Sequence, residues 1–311
     1  MQPNLLKRVP HPFAYQGSKR KLASTILSYF PPRTHCLYEP FCGSAALSLA
    51  ALYHRRCSRV VLNDLFAPLM ALWTEIRDAP ERVADAYAER WLAQIPAPRE
   101  HYLQVRESFN QRKEGADLLF LLSRCVKASV RFNHQGQFNQ AADHRRLGVR
   151  PPTLRQHLVA AAQLLTDRSV IRAGDFAAAL AEASSEDLVY LDPPYQGTSQ
   201  TRDHRYIAGL NRHHLESCIA DLMKRGVPLI VSFDGRCGEK TFGPDLAAEL
   251  GLIKLTLHAG KSSQSTLVGR HDETFESLYL SPQLTHHGKG DLQAERSASQ
   301  QREGASPEVP S

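Results

Sequence analysis

The chain reads as a doubly wound α/β protein, a mostly parallel sheet with helices on both faces. Three observations predict this. Short apolar, β-branched runs recur along the sequence and stop at turns rich in Gly, Asn, Asp or Pro; helical patterns separate them; and a carboxylate stands at or just past the end of each.

The runs are Cys36-Leu37-Tyr38 before Glu39, Val60-Val61-Leu62 before Asn63-Asp64, and Ser169-Val170-Ile171 before Gly174-Asp175. Two more are Leu188-Val189-Tyr190-Leu191 before Asp192 and residues 228–233 before Asp234-Gly235. Each lacks polar alternation and so reads as a buried parallel strand. Residues 22–29, 45–53 and 211–225 carry helical signals between them. In the last, Asn211 can cap, Leu215, Ile219 and Leu222 share a face, and Gly226 can terminate. Residues 252–257 and 274–280 are expected to pair as an antiparallel edge. Ligands of open α/β sheets bind outside the carboxyl ends of the strands, which is where Glu39, Asp64, Asp175 and Asp192 fall.

Residues 75–150 interrupt the alternation with polar, helix-like sequence. They end in Arg131-Phe132-Asn133-His134-Gln135-Gly136-Gln137-Phe138-Asn139, which reads as a hairpin turning at Gly136. The expected organisation is a sheet domain from residues 1–74 and 151–282, an inserted, mainly helical domain at 75–150, and a disordered polar tail at 283–311. A chain of 311 residues, 42% hydrophobic, can bury the core this needs. The N-terminus has no apolar segment of signal-peptide length and no run approaches a membrane span, so a cytoplasmic protein without a membrane partner is expected. Six cysteines are scattered without a C-x-x-C pair, which argues against a disulfide framework and a zinc site; no metal is expected. His286-His287 reads as solvated tail.

The net charge is +6, concentrated in two segments. Residues 1–21 hold Lys7, Arg8, Lys19, Arg20 and Lys21 with no acid, and residues 99–150 hold ten basic residues against five acids. Such a footprint suits a phosphate backbone. The run Leu188 to Tyr195 points to the chemistry. Asp192 and the Pro193 carbonyl offer acceptors at one point, Pro193 and Pro194 hold the backbone, and Tyr195 offers a flat face for stacking. A planar aromatic amine, such as the amino group of a nucleobase, fits that set.

Taken in order, five segments resemble the DNA adenine-N6 methyltransferases of the Dam-like type: Phe13-Ala14-Tyr15-Gln16-Gly17-Ser18-Lys19-Arg20-Lys21-Leu22, Glu39-Pro40-Phe41-Cys42-Gly43-Ser44, Asn63-Asp64, Gly174-Asp175-Phe176 and Asp192-Pro193-Pro194-Tyr195. The resemblance spans residues 12–282. It implies a Rossmann-like methyltransferase sheet, S-adenosylmethionine as cofactor, the insert as a target-recognition domain, and methyl transfer to N6 of a flipped adenine in double-stranded DNA at specific sites. Asp192, Pro193, Pro194 and Tyr195 match the catalytic motif, with Asp192 between cofactor and substrate. Tyr15 and Lys19 match the N-terminal cofactor motif, Lys19 holding the methionine carboxylate or neighbouring acids. Glu39, Phe41 and Gly43 match the turn that receives the methionine moiety, Asp64 the acceptor of the ribose hydroxyls, and Asp175 and Phe176 the place of the cofactor's adenine ring.

Within or flanking the hairpin, Arg131, Asn133, Gln137 and Asn139 are the candidates for the major groove, and Arg145 and Arg146, just beyond it, those for phosphates. The chain departs from the family pattern twice. Ala45 stands where a second glycine is frequent, which is acceptable at a negative φ, and residues 140–146 replace a Pro/Gly-containing turn. No obligatory protein partner is implied, and a cognate restriction endonuclease is left open. On the residues alone, methylation of cytosine N4, an RNA base or a protein amide stays open, as does an inactive nucleic-acid-binding module; Asp192 and the motif order favour adenine.

Overall fold

The computed structural model describes residues 9–194, 211–237, 240–241, 246, 250–261 and 273–284. Among the described residues eight strands form one sheet: β1 (Cys36–Glu39), β2 (Arg59–Asp64), β3 (Ser169–Ala173), β4 (Leu188–Leu191), β5 (Leu229–Cys237), β6 (Lys240–Thr241), β7 (Ile253–Lys261) and β8 (Glu273–Leu280). Seven lie in the continuous order β3-β2-β1-β4-β5-β8-β7, with β6 paired to β5. The first five of that order are parallel, and β8 is antiparallel to both β5 and β7. This is a doubly wound, Rossmann-like sheet with a hairpin built onto one side.

Alternation along the strands explains why both faces are covered. Leu37, Val60, Leu62, Leu188, Tyr190, Ile230, Leu278 and Leu280 belong to one apolar core, and Tyr38, Val61, Val189, Leu191, Leu229, Val231 and Tyr279 to the other. Successive side chains of a strand point to opposite faces, so a strand apolar at every position needs a layer on each side. The first face carries α1 (Ala23–Ser28), α2 (Ala46–Tyr53), α3 (Ala67–Asp78) and α7 (Pro151–Leu165); the second carries α8 (Phe176–Leu180) and α9 (Arg212–Lys224). In α9 the Asn211 side chain accepts the His214 N–H at 3.1 Å, and Gly226, at φ +69°, follows its end.

Residues 75–150 contain most of the remaining helices, α4 (Pro80–Ala93), α5 (Pro98–Arg112) and α6 (Gly115–Arg124), then the hairpin. Their apolar residues, among them Val83, Tyr87, Tyr102, Phe109 and Leu118 to Leu122, join the same core as the sheet's first face. Residue 75 lies inside α3, while residue 150 immediately precedes α7.

Three sequence expectations need correction. β3 is parallel but half-exposed along its length, because it is the edge strand of the sheet. Residues 252–257 and 274–280 do pair antiparallel, yet only β7 is an edge; β8 is interior, because β5 pairs with its other side. Gln283 and Leu284 continue in a 3₁₀ turn with Leu284 buried, and the rest of the expected tail lies outside the described residues. No helix among the described residues is long and apolar enough to cross a membrane.

Candidate active site

Strand order reverses between β1 and β4, the place where doubly wound sheets bind ligands. Pairing of β1 with β4 covers only Leu37 with Leu188 and Tyr38 with Val189. Beyond it lies a cavity of about 440 Å³ bounded by Tyr15 to Lys19, Glu39 to Ser44, Asp64 to Phe66, Gly174 to Phe176 and Asp192 to Pro194. Every cofactor residue expected from the sequence is in that wall: Tyr15, Lys19, Glu39, Phe41, Gly43, Asp64, Asp175, Phe176 and Asp192. Among the described residues no group of three or more His, Cys, Asp or Glu could hold a metal ion.

The floor is the turn after β1. Gly43 has φ +47°, and a Cβ there would meet Tyr15 Cδ1 at 3.1 Å, so the Tyr15 ring rests directly on the glycine. The Gly43 N–H donates to Asp64 Oδ2 at 3.1 Å, and its carbonyl accepts from the buried Trp73 indole at 2.9 Å. Asp64 Oδ1 accepts from the Phe66 N–H at 3.0 Å, so this carboxylate ties the turn to the end of β2. Burial pushes the Asp64 carboxyl up against those two bonds. Ala45 also turns left-handed, at φ +48°. The condition under which alanine would sit there without strain, a negative φ, is not met: the turn demands the conformation that glycine adopts freely, and alanine is strained in it.

Glu39 is buried. Its Oε2 accepts both the N–H of Ser48, at 3.1 Å, and the Ser48 hydroxyl in the first turn of α2. Burial pushes its carboxyl up to about 8, against the bonds from Ser48. Opposite, Lys19 Nζ stands 2.9 Å from Asp192 Oδ1 and 3.3 Å from Glu276 Oε2, with only 6% of its side chain exposed. Burial raises Asp192 to about 6, Lys19 lowers it and Glu276 raises it further. Phe41 and Phe176 pack at 5.1 Å between ring centres, and His214 meets the Phe176 ring edge-on at 4.9 Å. Asp175 caps α8 by accepting the Ala177 N–H at 2.9 Å, and its Oδ1 faces His214 Nε2 at 3.4 Å. The cavity therefore joins an apolar aromatic slot to a rim of carboxylates.

The hairpin adjoins it. Phe132 and Phe138 form its bridge, and Phe132 also lines the cavity. The Asn133 side chain closes the turn, accepting the N–H groups of Gln135 and Gln137 and donating to Gln137 Oε1 at 2.9 Å. Arg131, Gln137 and Asn139 are exposed. Arg145 and Arg146 are exposed as well, but both guanidiniums lie on the buried Asp143 at 3.0 Å. Tyr195 lies outside the described residues.

The D12 class N6 adenine-specific DNA methyltransferase family model matches residues 15–257. The chain belongs to this family. It is similar to the type II methyltransferase M1.LlaDCHI of Lactococcus lactis subsp. cremoris, 26% identical over 233 residues that cover 70% of this chain and 78% of that one. It is equally similar, at 26% over 227 residues, to the DNA adenine methylase of Escherichia coli K12, with the same shares covered. The DNA N-6-adenine-methyltransferase of Escherichia phage P1 is 27% identical over 234 residues, 72% of this chain but 29% of that longer protein.

The D12-class cavity contains residues that sequence reasoning missed. Ser44 Oγ donates to Ser18 Oγ at 2.8 Å, joining the N-terminal segment to the Gly43 turn. Asn211 and His214, read only as the start of a helix, line the cavity, as do Phe66, Val130 and Phe132. Glu276 reaches Lys19 from β8. Ser18, Ser44 and Phe132 lie within stretches the sequence singled out, whereas Asn211, His214 and Glu276 reach the site from elements whose place depends on sheet order.

Proposed function

We propose that this D12-class enzyme methylates N6 of adenine within specific sites of double-stranded DNA, using S-adenosylmethionine. The supporting observation is that Asp192, Pro193 and Pro194 share one cavity wall with Glu39, Asp64 and the Phe41–Phe176 slot. A volume of about 440 Å³ suits a cofactor-sized ligand, and the mixture of ring faces and carboxylates suits a cation that carries an aromatic base. When bound, S-adenosylmethionine supplies a methyl group activated by its sulfonium.

The protein's part is orientation and proton handling. Asp64 would accept bonds from the cofactor's ribose hydroxyls, Glu39, Phe41 and Gly43 would receive its methionine moiety, and Asp175 and Phe176 would hold its adenine ring. Asp192 and the Pro193 carbonyl accept bonds from the target amine, localising a lone pair otherwise delocalised into the base, and alignment then lowers the barrier. Asp192 would accept the amine proton displaced as N6 takes up the methyl group, and pass it to solvent. A paired adenine hides its amino group, so the base must leave the stack, with Tyr195 as its platform. Residues 75–150 serve as the target-recognition unit, Arg131, Asn133, Gln137 and Asn139 at the groove and Arg145 and Arg146 toward phosphates. Action on chromosomal DNA fits a cytoplasmic enzyme. Incubation with duplex DNA and methyl-labelled cofactor should yield labelled N6-methyladenine, and label in another nucleoside, or none, refutes the reading.

A further inference from the structure

Glu276 of β8, outside the sequence motifs, contacts Lys19 at 3.3 Å. We propose that Glu276 is a positioning residue that acts through Lys19: by sharing its ammonium, it keeps the Asp192 carboxylate a strong acceptor for the target amine. This rests on the reading of Asp192 as that acceptor.

One nearly buried ammonium meets two carboxylates, 2.9 Å to Asp192 and 3.3 Å to Glu276. With both acids ionised the three groups carry one net negative charge. If Glu276 were neutral, Lys19 would lean more strongly on Asp192 and draw electron density from the oxygens that must bind the amine. Glu276 is also aimed by the sheet. The ladder between β5 and β8 shifts register between Ser232 and Gly235, and Glu276 pairs beside that irregularity, opposite Gly235. Such bulges redirect side chains near sites. The Ser232 hydroxyl lies 3.5 Å from Glu276 Oε2.

The charged groups acting on Asp192 are Lys19 from the N-terminal segment and Glu276 from β8. Glu39 from β1 stands across the cavity and feels both Asp192 and Asp64. Among these, Lys19 favours ionised Asp192 and Glu276 opposes it.

The test uses the full chain and the variants Glu276→Gln, Glu276→Asp, Lys19→Met and Lys19→Met/Glu276→Gln. Carbon NMR of the apoprotein follows the Asp192 carboxyl, and single-turnover transfer to a duplex is followed from pH 5 to 8.5. Glu276→Gln should move the Asp192 titration and the acidic limb of the rate downward by about half a pH unit or more, whereas Lys19→Met moves both upward. Its plateau rate should fall about tenfold, with calorimetric cofactor affinity held within about threefold. Glu276→Asp should recover part of the rate, which a packing defect would not allow. The double variant should be no slower than Lys19→Met alone, since residues acting through one partner are not additive. Wild-type titration and rate in Glu276→Gln, or additive losses in the double variant, overturn the proposal. If instead Asp192→Asn retains the rate and its acidic limb, the reading of Asp192 itself has failed.

Discussion

At the scale of single residues, the site depends on carboxylates that each do two things. Asp64 closes the Gly43 turn through two backbone N–H groups while facing the cavity. Asp64→Ala should therefore weaken cofactor binding about tenfold or more and also cost about 1–3 kcal/mol of stability, because it leaves two donors unsatisfied. Calorimetry and urea unfolding measure the two effects separately, and unchanged cofactor affinity would move the ribose contact elsewhere. Asp192→Ala should abolish transfer while cofactor affinity stays within a few-fold; a variant keeping a tenth of the turnover removes Asp192 from the mechanism. For Tyr195, Phe should be tolerated and Ala should not, since stacking needs only a ring. The positions of Asp64 and Asp192 were legible because a carboxylate at or just past the end of an apolar run marks a strand end. Glu276 was not legible, since nothing within ETFESLYL separates an acid beside an ammonium from an ordinary solvated one.

At the scale of elements, the Gly43 turn and the hairpin make the testable claims. Ala45 is fully buried and left-handed. Relief of about 1–2 kcal/mol of backbone strain should offset the lost methyl in Ala45→Gly, leaving stability within about 1 kcal/mol of wild type. Ala50→Gly, equally buried but inside α2, lacks that relief and should cost about 1.5–2 kcal/mol. Equal losses in urea unfolding would show that the strain at Ala45 has no weight. For the hairpin, Arg145→Ala/Arg146→Ala should flatten the salt dependence of DNA binding by about two units of slope. Both guanidiniums already rest on Asp143, so phosphates must compete with that carboxylate. An unchanged slope would assign the DNA path to the basic N-terminal segment. Changes at Asn133 or Gln137 should alter sequence preference at nearly constant slope.

At the scale of the whole molecule, the cavity makes stability depend on pH in the direction opposite to that of acids whose proton affinity falls on folding. Glu39 moves from 4.5 to about 8 on folding and Asp192 from 3.8 to about 6. The folded state then binds more protons than the unfolded one between those values, so these groups make stability fall as pH rises through that window. The apoprotein's melting temperature should decline between about pH 5 and 8, and Glu39→Gln should flatten the decline. A melting temperature independent of Glu39 across that range would mean that the buried carboxyl keeps an ordinary affinity for its proton.

The sequence by itself determined the doubly wound class, the strands and their acidic ends, and the residues that meet at the cavity, because strand-end chemistry and turn glycines are local properties that survive without knowledge of packing. It also located the hairpin, whose glycine turn and flanking phenylalanines lie within one short stretch. Only the tertiary structure decided which strand is an edge, how the helices of residues 75–150 join the sheet's core, and which distant groups complete the site. Lys19, Asp192 and Glu276 come together because β4, β5 and β8 are neighbours and the N-terminal segment crosses their ends. Buried charges then select partners by proximity in three dimensions, a property that no spacing along the chain encodes.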